Sequence, residues 1–206
     1  MNYLGHVAVG LATGRSDDLF VLGTALPDVA SMAGVRVDRA RLGSDVGAGV
    51  DCHLAADTAF HDHPAFRSGS AALRDDLRDA GFATGPRRAI GHAGWELLLD
   101  GTLLGSATEA AYRRGLALAG EVRGAMDAAS ADRWDRLVAH GPPPVLRYDD
   151  PAWVADRLVA MLARRPRLAI PAGQAVEVAA ILAAHAGAVR AVAPAVLADV
   201  ATAVTG

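Results

Sequence analysis

Glycine and proline interrupt this chain about once per helix length, and almost nothing between the interruptions alternates with period two. The breaks fall at Gly34, Gly43, Gly81 with Gly85-Pro86, Gly141 followed by Pro142-Pro143-Pro144, Pro166 and Pro171. The segments they bound are rich in alanine and leucine and, valine aside, poor in the β-branched and aromatic residues that strands favour. An all-α fold is therefore expected, with helices over about 2–13, 17–32, 44–62, 64–80, 85–100, 105–127, 130–139, 150–163 and 173–204. No gap between them is long or polar enough for an interdomain linker, and no period of about 20–50 residues repeats. One compact helical domain over residues 1–206 is the expected organisation.

Composition removes several function classes. A hydrophobic fraction of 52% excludes a disordered chain, and a net charge of −3 leaves no basic footprint for nucleic acid or an anionic membrane. Cys52 is the single cysteine, so no intramolecular disulfide is available. Met1-Asn2-Tyr3-Leu4 lacks the basic start of a secretory signal, which makes a cytoplasmic location the expectation. The apolar C-terminal run is interrupted by Glu177, His185, Arg190 and Asp199, and Pro194 is expected to break it. It is read as one or two buried core helices, without stable membrane insertion.

Against this apolar background, residues 51–66 hold three histidines and three aspartates. On a helix, His53, Asp57 and His61 recur every four residues and share one face. The same period places His92, Glu96 and Asp100 on one face of the segment "GHAGWELLLDG". His6 stands among apolar neighbours, Asp28 follows Pro27 in a segment that Gly23 and Pro27 are expected to disturb, and His63 adjoins Pro64. Singly, each has an ordinary explanation: a core histidine, a helix cap beside proline, or an i,i+4 surface pair. His140 and His185 lack carboxylates at helical spacing and read as structural or exposed. Taken together, buried acids and imidazoles need a shared partner, and a divalent ion satisfies several at once. His6, Asp28, His53, Asp57, His92 and Glu96 are the expected ligands, with the 53–57 and 92–96 pairs converging on a common point. Imidazoles with carboxylates suit zinc, iron or manganese.

These residues also carry a resemblance. "MNYLGH" with His6, "LGTALPD" with Asp28, "HLAAD" at 53–57, "DHP" at 62–64 and "VLRYDDPAWVADRLVAMLARRPRL" resemble, in order, segments of the acyl-carrier-protein phosphodiesterases. Those are helical metal-dependent hydrolases related to the HD-domain phosphohydrolases. The resemblance implies an HD-domain-like fold, a metal such as manganese, His63 among the functional residues, and acyl carrier protein or a small phosphoester as substrate. Several positions depart from the family pattern. Leu54 stands where the family has arginine, Phe60-His61 where it has Thr-Asp, and Glu96 with Asp100-Gly101 where it has an Asp followed by an Asp-His pair. The rearranged order of histidines and acids also resembles the zinc-dependent phospholipase C and P1 nuclease group.

Bound divalent metal would activate water for attack on a phosphoester, with Asp57, His61, His63 and Asp100 as candidates for proton transfer. Losing the arginine at Leu54 removes a planar phosphate clamp, so an altered substrate is expected. Two alternatives remain: a helical scaffold of the same fold without activity, and an oxidative di-iron-type enzyme, although the paired Glu-x-x-His spacing of that class is missing.

Overall fold

The computed structural model describes residues 1–139, 147–171 and 173–206. Among these the protein is all-α: nine α-helices and two 3-10 helices, with no strand beyond an isolated antiparallel bridge between Val37 and Met126. The helices are α1 (Tyr3–Ala12), α2 (Asp18–Ala33), α3 (Ser44–Asp62), α4 (Pro64–Asp79), α5 (Thr84–Gly101), α6 (Ala107–Ala117), α7 (Ala128–Ala139), α8 (Pro151–Leu162) and α9 (Ala175–Thr205). His140, Gly141 and the Pro142-Pro143-Pro144 break lie outside the described residues.

Local chemistry accounts for most of the ends. The Asp17 carboxylate accepts the Phe20 N–H at 2.9 Å to start α2, which stops where Gly34 adopts φ 62° and donates to the carbonyls of Ala30 and Ser31. Gly81, at φ 84°, follows α4 in the same left-handed region. Asp150 caps α8 ahead of Pro151, whose missing N–H costs nothing at the first helical position.

Three expectations need correction. The stretch expected as one helix over 105–127 ends as α-helix at Ala117 and continues as a 3-10 segment, Ala119–Ala125, in which Gly120 and Gly124 weaken an α-helical continuation. Asp127 then accepts the Ser130 N–H at 2.7 Å, so the next helix begins at Ala128. Neither Pro27 nor Pro194 breaks its helix; each removes one N–H donor while α2 and α9 run on. The C-terminal run is a single 31-residue helix rather than a fully buried core segment. Among its described residues only a stripe comprising Val178, Leu182, Val189, Ala193, Val196, Val200 and Ala201 is buried, spaced mostly by three, four or seven. By length and composition α9 is apolar enough to cross a membrane, although Glu177, Arg190 and Asp199 lie along it.

The chain divides into two compact units. The first contains Met1–Ala59, Gly105–Leu146 and Leu197–Gly206; in it α1 packs on α2 and α6, and α2 also meets α6 and α7. Its core includes Leu4, Leu22, Leu26 and Trp134, the last donating its indole N–H to the Ala119 carbonyl at 2.7 Å. The second contains Phe60–Leu104 and Arg147–Val196, with α5 packed on α4 and α8 around Leu73, Leu77, Ile90 and Leu158.

Within the first unit, helices approach at backbone contact. A Cβ on Gly23 would lie 2.2 Å from the Val46 carbonyl oxygen, and one on Gly49 would lie 2.2 Å from that of Phe20. Glycine at both positions brings α2 and α3 together more closely than side-chain packing allows. On α1, a Cβ on Gly10 would fall 2.7 Å from Thr24 Cγ2, so the third helix is held close as well.

Gly49→Ala should therefore destabilise the protein by about 1–3 kcal/mol through overpacking. Gly47→Ala, on the same helix but with nothing within 4 Å of the added carbon, should be neutral or stabilising by up to about 1 kcal/mol. Urea unfolding of both variants checks the contrast.

A second prediction concerns the start of α2. Burial pushes the Asp17 carboxyl up, but the Phe20 amide and the Arg15 guanidinium draw it further down, leaving it below its ordinary value. A lowered folded value means that the stabilisation is present above the unfolded pKa of 3.8 and disappears as pH falls through the folded one. Asp17→Ala should cost about 1 kcal/mol at pH 7, and the gap between the two proteins should close below pH 3.8 in urea titrations.

Candidate metal centres

In the first unit, the close contacts at Gly10, Thr24 and Gly49 each have a potential ligand one turn away. His6 lies four residues before Gly10, Asp28 four after Thr24, His53 four after Gly49, and Asp57 a further four along α3. Four residues is close to one helical turn, so side chains beside the crossings point to the same region. Ligand atoms of His6, Asp28 and His53 all lie within 4.8 Å of one another. His6 Nε2 stands 3.8 Å from both Asp28 Oδ2 and Asp57 Oδ1. These distances are too long for hydrogen bonds. They fall inside the roughly 4.2 Å that separates two donors held at about 2.1 Å on opposite sides of one ion.

The imidazoles are the buried part of this group. His6 is fully buried and His53 is 5% exposed, and their rings stack with centroids 3.7 Å apart. His53 Nδ1 lies 2.8 Å from the Thr24 carbonyl oxygen. Because a carbonyl only accepts, Nδ1 carries the proton and Nε2 is left with a lone pair, the arrangement found in ligating histidines. Burial is the main influence lowering the His53 pKa and favours the neutral ring, against smaller opposing effects from the Thr24 bond and the Asp57 charge. The carboxylates are more open, with side-chain exposures of 27% for Asp28 and 42% for Asp57, although the Asp28 oxygen that faces His6 is buried.

Beside these residues in the chain, Pro27 and Leu54 help to line a cavity of about 370 Å³ together with Leu26, Val35 and Val50. Leu54, which stands where the resembled family has arginine, is 43% exposed in a wall that is mostly apolar but includes Arg39, whose guanidinium is paired with Asp51.

The second unit brings together His61, His92 and Glu96. His61 is at the end of α3, whereas His92 and Glu96 share a face of α5. The aromatic rings of the unit define the surroundings of both imidazoles. Phe66 meets His61 and His92 edge-on at centroid distances of 5.2 and 5.3 Å, and Trp95 meets Phe66 at 5.4 Å. Trp95 itself fits against Gly69, where a Cβ would lie 2.3 Å from the indole nitrogen. Burial opposes ionisation of Glu96, yet its carboxyl is held below the usual range, with hydrogen bonds from His61 and His92 contributing to the lowering.

The six expected ligands are thus found in two groups: His6, Asp28, His53 and Asp57 in the first unit, and His92 with Glu96 in the second. His61, expected as a proton carrier, accompanies the latter pair through its own Nε2. The other two residues expected to act in catalysis lie outside both groups. His63 Nδ1 accepts the Ala65 N–H at 3.2 Å and caps α4, and Asp100 is fully buried. His185, expected to be structural or exposed, has a carboxylate partner after all: its Nε2 is 2.8 Å from Asp76 Oδ2, a pairing that helical spacing within one segment does not reveal.

What the sequence reading missed was the glycine one turn from His6 and from His53, a legible signal in "HVAVG" and "GVDCH". No protein-family model, curated protein or solved structure matches the chain.

Proposed function

We propose that the protein is a metal-dependent phosphohydrolase, of HD-domain-like character and related to the acyl-carrier-protein phosphodiesterases, acting at the His6, Asp28, His53 and Asp57 centre. The observation that carries this reading is the position of His6 Nε2, 3.8 Å from each of two carboxylates on two other helices, stacked on a second buried imidazole. Two imidazole nitrogens and two carboxylate oxygens suit zinc, iron or manganese.

Such an ion, when bound, lowers the pKa of water toward neutrality and offsets charge on a phosphoryl oxygen. The protein's own contribution is to hold the donors. The Thr24 carbonyl fixes the tautomer and direction of His53, and the backbone contact of α2 with α3 keeps Asp28 and His53 at a constant separation. Electrostatics makes the dependence on metal strict. Asp28 and Asp57 by themselves repel an anionic phosphoester, and only a cation between them reverses the sign of the field.

Leu54 and the adjoining apolar cavity favour a substrate with an apolar substituent beside the phosphoester. Leu54 itself supplies no planar donor for the phosphopantetheine linkage of a carrier protein, and the Arg39 guanidinium at the cavity wall is paired with Asp51. A small phosphoester with an apolar substituent is the substrate class this combination supports.

The test is metal analysis of protein purified without chelator, followed by assays on bis(p-nitrophenyl) phosphate and on a holo acyl carrier protein. Metal-dependent hydrolysis of the small diester, with little release of phosphopantetheine, is the expected result. Asp57→Asn should abolish the diesterase activity, because a neutral amide is a weaker ligand than a carboxylate. Retained turnover in that variant would show that the ligands were wrongly chosen. Robust carrier-protein hydrolysis would restore the family substrate.

Chelation should also lower the melting temperature, since an ion that binds only the folded state stabilises it. Re-addition of metal should recover the loss. An unchanged melt and a metal-free preparation would point to a scaffold without activity.

A further inference from the structure

We propose that the second unit carries a metal centre of its own, a mononuclear site for a late first-row divalent ion held by His61, His92 and Glu96. The inference goes beyond the phosphohydrolase reading, which uses none of these three residues, and does not depend on it.

The three ligand atoms form a nearly equilateral triangle. His61 Nε2 is 3.2 Å from His92 Nε2, His61 Nε2 is 3.3 Å from Glu96 Oε1, and His92 Nε2 is 3.2 Å from the same oxygen. Donors held at about 2.0–2.1 Å around a tetrahedral ion lie about 3.3–3.4 Å apart, so the triangle has the size of one tetrahedral face. The three groups also bond to one another, His61 Nε2 to His92 Nε2 and both to Glu96 Oε1, but at separations longer than the roughly 2.7–2.9 Å of charge-assisted bonds. The two nitrogens are as close to each other as either is to the oxygen.

The imidazole planes support the same conclusion. They lie 11° from parallel with centroids 4.9 Å apart, and the Phe66 ring stands nearly perpendicular to both. Apolar packing therefore holds two nitrogen donors together, with Glu96, only 13% exposed, beneath them. His92 is 49% exposed and His61 32%, which leaves the opposite side of the triangle open to solvent. Two histidines and one glutamate with an open fourth position are the donor set of exchangeable rather than closed zinc sites. A bound ion would keep a position for water or an anionic ligand.

Cobalt(II) is a suitable probe, because its visible absorption reports coordination number and geometry. The full chain is stripped with chelator and titrated with cobalt in a His53→Ala, Asp57→Asn background that disables the first centre. The expected result is one tightly bound equivalent with the absorption of a four- or five-coordinate ion, lost when His92→Ala is added. Glu96→Gln should weaken binding by more than the roughly 10–100-fold that follows loss of an outer-sphere partner. A background protein with native helical circular dichroism that binds no cobalt would overturn the inference, as would undiminished binding after His92→Ala. Should the double background fail to fold, His92→Ala alone decides, since its half-exposed ring contributes little to packing. Cobalt stoichiometry falling by one equivalent supports the site, and an unchanged stoichiometry overturns it. Failure of the phosphohydrolase reading is recorded separately, by the diesterase assay on Asp57→Asn.

Discussion

The first centre depends on helices that touch through their backbones. At Gly23 and Gly49 there is no room for even one carbon, because the Val46 and Phe20 carbonyl oxygens occupy the space. An α-helix is stiff over a few turns, so a fixed crossing determines where the residues one turn away must go. Asp28 and His53 are such residues, Asp57 lies one turn further along α3, and His6 stands in the same relation to Gly10. The close approach also brings the Thr24 carbonyl within hydrogen-bonding distance of His53, which orients that ring. Convergence, tautomer and burial thus share one cause.

The second unit reaches a similar donor set by a different route. Bulk replaces absence of bulk: Phe66 and Trp95 fill the space behind His61 and His92, and a single glycine, Gly69, makes room for the indole. The result is a more open group. His6 and His53 are buried while their carboxylates reach solvent, whereas Glu96 is the covered member of the second group and its histidines are exposed. Burial of imidazole favours its neutral form, whereas the imidazoles of the second group keep contact with solvent.

Under the proposed reading, charge and shape would act on a substrate in opposite senses. Two carboxylates would repel a phosphoester until a cation was present, so metal would control its binding. Leu54 and its largely apolar cavity would then act on the uncharged part of the molecule, where apolar area contributes affinity. An arginine in place of Leu54 would select for the anion; a leucine would select for what is attached to it.

Helix content was legible in the sequence because period and breakers are local properties, and Gly34, Gly81 and the proline before α8 mark helix ends as they do in isolated peptides. Donor chemistry was legible for the same reason, since His53 with Asp57 and His92 with Glu96 are each one helical turn apart on a single segment. Which donors meet was not. Whether Asp28 joins His53, or His61 joins His92, depends on crossings between segments distant in sequence, and these turn on contacts such as Gly23 against Gly49 that no periodicity encodes. The pairing of His185 with Asp76 and the use of His63 as a cap were decided likewise, by neighbours that only the folded chain supplies. The sequence by itself determined the helices and the donors each one carries. Tertiary structure determined their grouping, because convergence is set by the distance of closest approach between helices, a property of two surfaces together and of neither alone.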